Sequence, residues 1–314
     1  MSYLPCELHC HTVHSDGDFT TSSLQKSARE NALSLIALTD HNTVSAHGEI
    51  DDRIIPVIRG IEWTTYFGHM LVLGAKAFAD WRNAVPDNID EKIREVKACG
   101  GTVGIAHPFQ AGAPICTGGR WEFNLHDLTL PDYIEIWHGN FFADSRENRE
   151  GLAFWSRFLD SGAKPAAVSG RDWHRPSDGT YAVTYLNIDG APTPEKALEA
   201  IKGRRTVVSA GARFFFTVTQ NNKIYEIGDT VSEGEAVFDF YTDIYARRLF
   251  GEAKLTYKSI RLVTNGCKTV KEIPINECKI KAALRKGGWY RAELWGECDG
   301  KSALLAVTSP IFAQ

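Results

Sequence analysis

Short apolar runs alternate with amphipathic segments along the first part of the chain. Runs at 33–38, 54–61 and 102–106 consist mostly of Leu, Ile, Val and Ala, which is typical of strands buried on both faces. Segments at 22–31 and 90–99 instead carry apolar residues at helical spacing. This alternation predicts repeated strand–helix units around a sheet.

The same pattern continues to about residue 205 and then changes. Further strands are predicted at 70–73, 133–137 and 164–169, and further helices at 146–162 and 194–202. Later β-rich segments, separated by Gly, Asn and Lys turns, lie at 214–218, 236–240, 259–263 and 289–295. We therefore predict an α/β domain at 1–205 and a small all-β, sandwich-like domain at 206–314.

Composition and charge limit the possible partners. The chain has 314 residues, 43% of them hydrophobic, and a formal net charge of −4 from 35 basic and 39 acidic residues. Duplex nucleic acid is not expected as a partner, because it would require a basic surface. The sequence has neither a signal-peptide pattern nor an apolar stretch long enough to span a bilayer, so we expect a soluble, cytoplasmic protein. Seven scattered cysteines without a C-x-x-C pair predict reduced thiols.

Polar residues with metal-binding side chains follow the predicted strands. His9 and His11 lie two residues apart in an extended segment, so their side chains share one face. A His-x-His pair alone is a weak signal, but the full set of candidates includes six of the ten histidines. The nine candidate ligands are His9, His11, Asp16, His41, Glu62, His69, His107, Asp172 and His174. In α/β barrels the chemistry lies at the C-terminal ends of the strands, which favours one shared site.

The chemistry of these donors favours a centre with more than one ion. Nine nitrogen and oxygen donors without thiolates exceed the needs of one ion and suit two or three divalent ions such as Mn, Fe or Zn. Glu62, in the middle of the set, is the natural bridging carboxylate for two ions about 3.5–4 Å apart. Two such ions lower the pKa of a shared water from about 15.7 toward about 7, which provides a bridging hydroxide. The predicted reaction is therefore hydrolysis.

Short motifs surround most of the candidate ligands. They are His9-x-His11, Ser15-Asp16-Gly17, Thr39-Asp40-His41, Gly60-Ile61-Glu62, Ala106-His107-Pro108 and Gly170-Arg171-Asp172-Trp173-His174. This set resembles the motifs of the PHP (polymerase and histidinol phosphatase) superfamily. The segments 38–45, 62–69 and 203–209 further resemble the CehA/McbA-type metallohydrolases. The resemblance implies the PHP fold, a distorted TIM-like (β/α)7 barrel, and metal-dependent phosphoesterase activity.

The resemblance also implies a trinuclear site and divides the candidate ligands into three sets. The first ion would be held by His9, His11, Glu62 and Asp172. The second would be held by Glu62, His69 and His107, and the third by Asp16, His41 and His174. The residues alone do not assign these sets.

His138 departs from the family pattern, because relatives usually carry Asn at this position. It follows the strand predicted at 133–137 and competes with His69 as a ligand of the second ion. We interpret His138 as a pocket residue and a candidate general acid.

Three further residues are candidates for contact with the substrate. Arg171 lies where relatives commonly carry a small residue, and Arg171 and Arg175 could clamp a phosphate group between two guanidinium groups. The alternative is that these arginines pair with carboxylates at the rim of the barrel. His14 either approaches the substrate or packs over the turn that follows the first strand. Asp40 is a candidate to fix the tautomer of a metal-bound imidazole, and the alternative is a role in a surface turn.

The leading functional hypothesis is a metal-dependent phosphoesterase that acts on a small phosphate ester or a nucleotide. Its catalytic residues would be Glu62, Asp172, His138 and Arg171, and its substrate contacts Arg171, Arg175, His14 and His138. The alternative is hydrolysis of a carbamate, ester or amide by the same hydroxide. A non-catalytic binding protein is a third hypothesis, which predicts degraded ligand motifs, whereas all nine positions hold competent donors.

Overall fold

The fold is a mixed α/β arrangement built on one large sheet and one small sheet. A computed structural model describes residues 2–111, 119–139, 145–176, 181–246 and 253–314. The strands before the predicted domain boundary are β1 (Tyr3–Glu7), β2 (Leu35–Leu38), β3 (Val57–Thr65), β4 (Gly68–Leu73), β5 (Thr102–Ile105), β6 (Tyr133–His138), β7 (Ala166–Gly170) and β8 (Val183–Asn187). The helices are α1 (Thr21–Glu30), α2 (Ile89–Ala98), α3 (Arg146–Asp160) and α4 (Pro194–Lys202).

The strands from residue 206 onward are mostly antiparallel. They are β9 (Thr206–Ser209), β10 (Arg213–Gln220), β11 (Lys223–Glu226), β12 (Thr230–Val231), β13 (Gly234–Asp243), β14 (Leu255–Thr264), β15 (Lys268–Pro274), β16 (Lys279–Leu284), β17 (Trp289–Cys298), β18 (Lys301–Thr308) and β19 (Ile311–Ala313). Among the described residues, β10, β11, β13 and β16 form a separate four-stranded sheet, and the other strands belong to the large sheet.

Local sequence signals account for where the helices begin. The hydroxyl of Thr20 caps α1 by accepting a hydrogen bond from the main-chain N–H of Ser23. The hydroxyl of Thr193 caps α4 in the same way, and Pro194 occupies the first position of that helix, where no main-chain donor is needed. Leu24 of α1 is buried, as its helical spacing predicts. Helices are therefore found close to each predicted range.

At one end of the large sheet, the strands β1 to β7 follow one another in sequence order. Pairing is parallel from β1 to β3 and again from β5 to β7. In contrast, β4 is antiparallel to both β3 and β5. Only Tyr66 and Phe67 separate β3 from β4, which is too short for a crossover and forces a hairpin. The predicted strand–helix alternation is therefore interrupted at β4.

The segments that follow β1 and β7 contact each other through the main chain. The N–H of Trp173 donates to the carbonyl of His9 at 2.9 Å, and the N–H of His11 donates to the carbonyl of Trp173 at 3.0 Å. Cys10 and Trp173 thereby form a parallel bridge. This contact brings the two ends of the β1–β7 series together.

The large sheet continues across the predicted boundary at 205/206. On the other side of β1, β8 pairs antiparallel with β1 and with β9, and β9 pairs with β18. One hydrophobic core includes Val183 and Val207 together with Phe214, Phe216 and Phe238 of the small sheet. The division into two domains therefore stays a prediction.

No helix among the described residues is long and apolar enough to cross a membrane. The cysteines in the described part of the chain are free thiols, and Cys116 lies outside it.

Candidate metal centre

Ten side chains with nitrogen or oxygen donors converge near the ends of β1, β2, β3, β5, β6 and β7. All nine predicted ligands are among them, together with His138. They form four groups in which the donor atoms lie within 4.8 Å of one another. The groups are His9, His11, Glu62 and Asp172; Glu62, His69 and His107; His11, Asp16, His41 and His174; and His107, His138 and Asp172.

Glu62 lies at the middle of the cluster and is completely buried. Its Oε1 is 3.0 Å from Nδ1 of His69 and 3.1 Å from Nε2 of His107. Its Oε2 is 2.7 Å from Nδ1 of His41 and 3.3 Å from Nε2 of His9. Burial alone would raise the pKa of Glu62, but the imidazoles of His9, His107 and His41 hold it well below its usual range. One carboxylate therefore contacts imidazoles of several ligand groups.

His69 reaches Glu62 because of the hairpin between β3 and β4. The sequence analysis places the ligands after parallel strands, but His69 lies near the start of an antiparallel strand, directly opposite Thr64. Reversal of the chain returns β4 to the same edge of the sheet, so the start of β4 lies beside the end of β3. The role of His69 as a ligand stays a prediction, but the structure places the residue beside Glu62 through a hairpin and not through a parallel strand end.

Asp172 joins the segment after β7 to the two histidines after β1. Its Oδ1 is 2.9 Å from Nε2 of His11 and 3.3 Å from Nε2 of His9. Burial raises the pKa of Asp172, but His9 and His11 outweigh burial and hold the pKa well below its usual range. Asp172 has a φ of 54° and His107 a φ of 23°, so both donors lie in backbone regions that non-glycine residues rarely adopt. Such strain is typical of functional sites.

Asp16 is held at the more exposed side of the cluster. Its Oδ1 is 3.0 Å from Nε2 of His174 and 3.4 Å from Nε2 of His41. The rings of His11 and His174 stack at 4.2 Å between centroids. The donors of the third predicted ligand set, Asp16, His41 and His174, therefore lie close together, and His11 lies beside them.

Asp40 organises the turn that carries Asp16. Its Oδ1 accepts hydrogen bonds from the N–H of Thr12 at 2.6 Å and from the hydroxyl of Ser15 at 2.8 Å, and its Oδ2 accepts from the hydroxyl of Thr12 at 2.7 Å. Within the described residues, none of these hydrogen bonds involves an imidazole. The expectation that Asp40 fixes the tautomer of a metal-bound histidine was wrong, because the adjacent turn occupies its oxygens.

The polar atoms at the middle of the cluster fit a cation. Nε2 of His9, Nε2 of His11, Oε2 of Glu62 and Oδ1 of Asp172 are buried, and although they lie close to one another and to His41, none of their contacts in the described part of the chain has the geometry of a hydrogen bond. Buried polar atoms without partners are costly, whereas a cation placed among them would accept their lone pairs. Nitrogen and oxygen donors in sets of three or four are a suitable ligand set for Mn, Fe or Zn.

Glu135 is a buried carboxylate that the sequence analysis missed. Its Oε1 lies 2.9 Å from Nδ1 of His9, and its Oε2 accepts the main-chain N–H of His107 at 2.9 Å. Gly170 makes room for it, because a Cβ at that position would lie 1.9 Å from Oε1. Burial raises the pKa of Glu135, but His9 outweighs burial, and the net pKa is lowered. A carboxylate inside the otherwise apolar strand β6 was the available signal.

Glu7 is a second buried carboxylate without a predicted role. Its Oε1 accepts the main-chain N–H groups of His9 and Arg171, each at 3.0 Å. Burial raises the pKa of Glu7 to about 7, while these hydrogen bonds oppose the rise. Glu7 therefore ties the segment after β1 to the segment after β7.

The guanidinium of Arg171 is packed between aromatic rings. Its Cζ lies 4.2 Å from the ring centre of Trp173 and 3.6 Å from that of Tyr181. The side chain is buried, and Arg171 is not among the described residues that line the cavity over the metal centre. Within the described residues, its guanidinium is therefore seen against these two rings.

Two more of the predicted substrate contacts, Arg175 and His14, lie at the periphery. Nε of Arg175 is 3.9 Å from Oδ2 of Asp18, and the side chain is 70% exposed. Nδ1 of His14 is 2.8 Å from the hydroxyl of Ser45, and Nε2 is 3.0 Å from Oε1 of Glu49. These contacts correspond to the alternatives of a rim ion pair for Arg175 and packing over the turn for His14.

His138 lies at the end of β6 and beside the cluster. Its Nε2 is 3.8 Å from Oδ2 of Asp172, and its ring is 4.8 Å from that of His107 between centroids. Asn148 of α3 fixes the main chain at this point, because its Oδ1 accepts a hydrogen bond from the main-chain N–H of His138 at 2.9 Å. Burial, together with the neighbouring His107, lowers the pKa of His138 to about 4.

A cavity of about 450 Å³ opens above the donors. Its volume suits a small molecule, and its walls include six of the candidate ligands and several uncharged polar side chains. The described residues that line it are Ser15, Asp16, His41, Thr64, His69, His107, Gln110, Ala111, Gly119, Asp172 and His174.

The chain shares its fold with a two-domain protein from Bacteroides vulgatus that contains a predicted PHP-like metal-dependent phosphoesterase. The two are 15% identical over 98% of this chain and 95% of that chain, with a TM-score of 0.53. At this identity the likeness shows the fold alone. Two further structures are similar to part of this chain. They are a metal-dependent phosphoesterase candidate from Bifidobacterium adolescentis (19% identity, 63% of this chain, 96% of that chain, TM-score 0.42) and an amidohydrolase from Chromobacterium violaceum (18% identity, 62% of this chain, 96% of that chain, TM-score 0.39). No protein-family model and no curated protein matches the chain.

Proposed function

We propose that the chain is a metal-dependent hydrolase with two or three divalent ions, Mn, Fe or Zn, in a PHP-type centre. The observation that carries this proposal is the completely buried Glu62, whose carboxylate lies within 3.5 Å of five imidazoles while its Oε2 and neighbouring donor atoms make no hydrogen bond among the described residues. An ordinary buried ion pair would satisfy these atoms. The CehA/McbA-type subgroup remains part of the proposal and rests on the sequence motifs.

Each set of ligands is assigned to one ion of the centre. We assign His9, His11, Glu62 and Asp172 to the first ion, Glu62, His69 and His107 to the second, and Asp16, His41 and His174 to the third. When bound, the ions polarise a substrate oxygen and lower the pKa of a water. Glu62 supplies one oxygen to each side of the cluster, and Asp172 orients its Oδ1 toward His9 and His11.

We propose a small phosphate ester or a nucleotide as the substrate. The imidazoles of His41, His69 and His107 line an open cavity, and with the ions they would present positive charge to an anionic group. Thr64 and Gln110 add uncharged donors at the same wall. The phosphate would therefore be held by the centre itself.

The contacts favour different roles for the predicted catalytic residues outside the ligand set. Stacking of Arg171 on Trp173 and Tyr181 supports a positioning role for Arg171 behind Asp172, rather than a phosphate clamp. A general acid must carry a proton that it can donate, whereas burial lowers the pKa of His138 to about 4 and leaves its imidazole neutral at neutral pH. His138 is better suited to offer a lone pair than a proton.

The proposed reaction is tested by direct assay of the chain loaded with Mn²⁺. We expect hydrolysis of p-nitrophenyl phosphate or bis(p-nitrophenyl) phosphate, and its loss in the Glu62→Gln variant, because a neutral amide is a poor bridge between cations. Glu199→Gln, an exposed change on α4, is the matched control and should keep full activity. Activity confined to an aryl carbamate or amide would replace the phosphoesterase proposal with the alternative hydrolase. A fully loaded chain without any of these activities would contradict both.

We also propose that β1 to β7 form the distorted seven-stranded barrel that the motifs imply. The main-chain contacts between His9, His11 and Trp173 support closure of the series. The division at 205/206 likewise remains a proposal, which the two-domain description of the Bacteroides vulgatus protein supports. The continuous sheet through β8, β9 and β18 would make the two domains one packed unit.

A further inference from the structure

His138 adds a donor that the three proposed ligand sets do not use. Its side chain is 14% exposed, and its Nδ1 is buried without a hydrogen-bond partner in the part of the chain that the structure describes. Its Nε2 lies 3.8 Å from Oδ2 of Asp172, which is too far for a hydrogen bond but close enough for two ligands of one ion. An imidazole held in this way is available to a cation.

The two oxygens of Asp172 are directed to different neighbours. Oδ1 faces Nε2 of His11 at 2.9 Å and Nε2 of His9 at 3.3 Å, within the first ligand set. Oδ2 faces His138 at 3.8 Å. Asp172 can therefore contribute Oδ1 to the first ion and Oδ2 to a cation beside His138 at the same time.

His107 is shared between two possible positions for an ion. It belongs to the group with Glu62 and His69 and also to the group with His138 and Asp172. Its Nδ1 lies 3.3 Å from the carbonyl oxygen of Gly119, and a carbonyl only accepts, so the ring proton lies on Nδ1. Only Nε2 then carries a lone pair, and one lone pair binds one ion.

We propose that the second ion has two mutually exclusive positions, one held by Glu62, His69 and His107 and the other held by His107, His138 and Asp172. This inference rests on the proposed metal centre and concerns the location of an ion within it. The first position contains the buried bridge Glu62, whereas the second is bounded by β6 and α3, next to the cavity. An ion in the second position takes His138 as a ligand.

The proposal is tested by counting and locating Mn²⁺ in single and double variants. Ions are counted by elemental analysis after dialysis and located by anomalous scattering from crystals of the loaded chain. In His69→Ala the number of ions should stay equal to that of the native chain, and the anomalous peak beside Glu62 should move toward His138. In His138→Ala the number should also stay equal, without movement. The double variant should lose one ion per chain.

A matched control and a second pair of variants keep the result interpretable. His126→Ala removes an exposed imidazole away from the centre and should change neither the number nor the positions of the ions. If an alanine variant does not fold, as judged by circular dichroism, His69→Asn and His138→Asn replace it. Loss of one ion in the His69 variant alone would overturn the inference and leave the hydrolase proposal intact. A native chain that binds no transition metal would overturn both, and a native chain that binds metal but hydrolyses nothing would overturn the hydrolase proposal only.

Discussion

Glu135 and His9 form a buried pair in which Oε1 of the carboxylate lies 2.9 Å from Nδ1 of the imidazole. A carboxylate only accepts hydrogen bonds, so the proton of this contact lies on Nδ1, and Nε2 is the atom that His9 offers to Glu62 and Asp172. The other oxygen of Glu135 accepts the N–H of His107, so one side chain orients donors of two proposed ligand sets. Carboxylates behind metal-bound histidines act in this way in metalloenzymes generally.

Glu135→Gln should weaken metal binding without unfolding the chain. The amide keeps the shape of the side chain but removes the charge that stabilises Nδ1–H of His9, so we expect the affinity for Mn²⁺ to fall about 10- to 100-fold. Isothermal titration of the metal-free chain measures the change, and the exposed Glu199→Gln is the control. An affinity equal to that of the native chain would show that Glu135 only fills space.

Gly170→Ala should displace Glu135 and destabilise the fold. The added Cβ would lie 1.9 Å from Oε1 of Glu135, and a buried site cannot accept this overlap without movement. We expect the free energy of unfolding to fall by about 1–3 kcal/mol, measured by urea denaturation. At Gly48 an added Cβ meets nothing within 4 Å, so Gly48→Ala should change the stability by less than about 0.5 kcal/mol. Equal effects of the two substitutions would contradict the close contact.

Arg171→Ala and Arg175→Ala should separate a positioning role from a phosphate clamp. Loss of the stacked guanidinium of Arg171 from Trp173 and Tyr181 should lower the free energy of unfolding by about 1–3 kcal/mol, because both cation–π contacts are buried. Arg175 is 70% exposed, and its loss should cost less than about 0.5 kcal/mol. Urea denaturation gives both values. If Arg171→Ala keeps native stability and raises KM only for phosphate esters, the clamp role is correct.

Addition of Mn²⁺ should stabilise the folded chain against heat and urea. An ion that binds only the folded state contributes about 2.7 kcal/mol at a concentration 100 times its Kd. We therefore expect a rise in Tm on addition of Mn²⁺ and its reversal by a chelator. Mg²⁺ at the same concentration should stabilise less, because it prefers oxygen ligands and most donors here are imidazoles. The same Tm with and without Mn²⁺, in the native chain and in Glu62→Gln alike, would argue against the centre.

The types of donor and most of the local elements could be predicted from the sequence. Helix starts depend on nearby residues such as Thr20 and Thr193, and buried strands show as short apolar runs, so both signals are local. The nine candidate ligands could be recognised because each follows or borders such a run, and the structure brings all of them together. The division of these ligands into groups around Glu62 could be predicted only from the family resemblance or seen in the structure.

The tertiary structure alone decided the contacts that depend on long-range packing. The direction of β4 follows from a two-residue hairpin. In the sequence this hairpin cannot be distinguished from any other short break between two apolar runs. Glu135 and Glu7 meet their partners across strands far apart in sequence, and the guanidinium of Arg171 stacks on the ring of Tyr181. Asp40 serves a turn instead of an imidazole. In each case the residue type allowed several partners, and the packing of distant strands selected one.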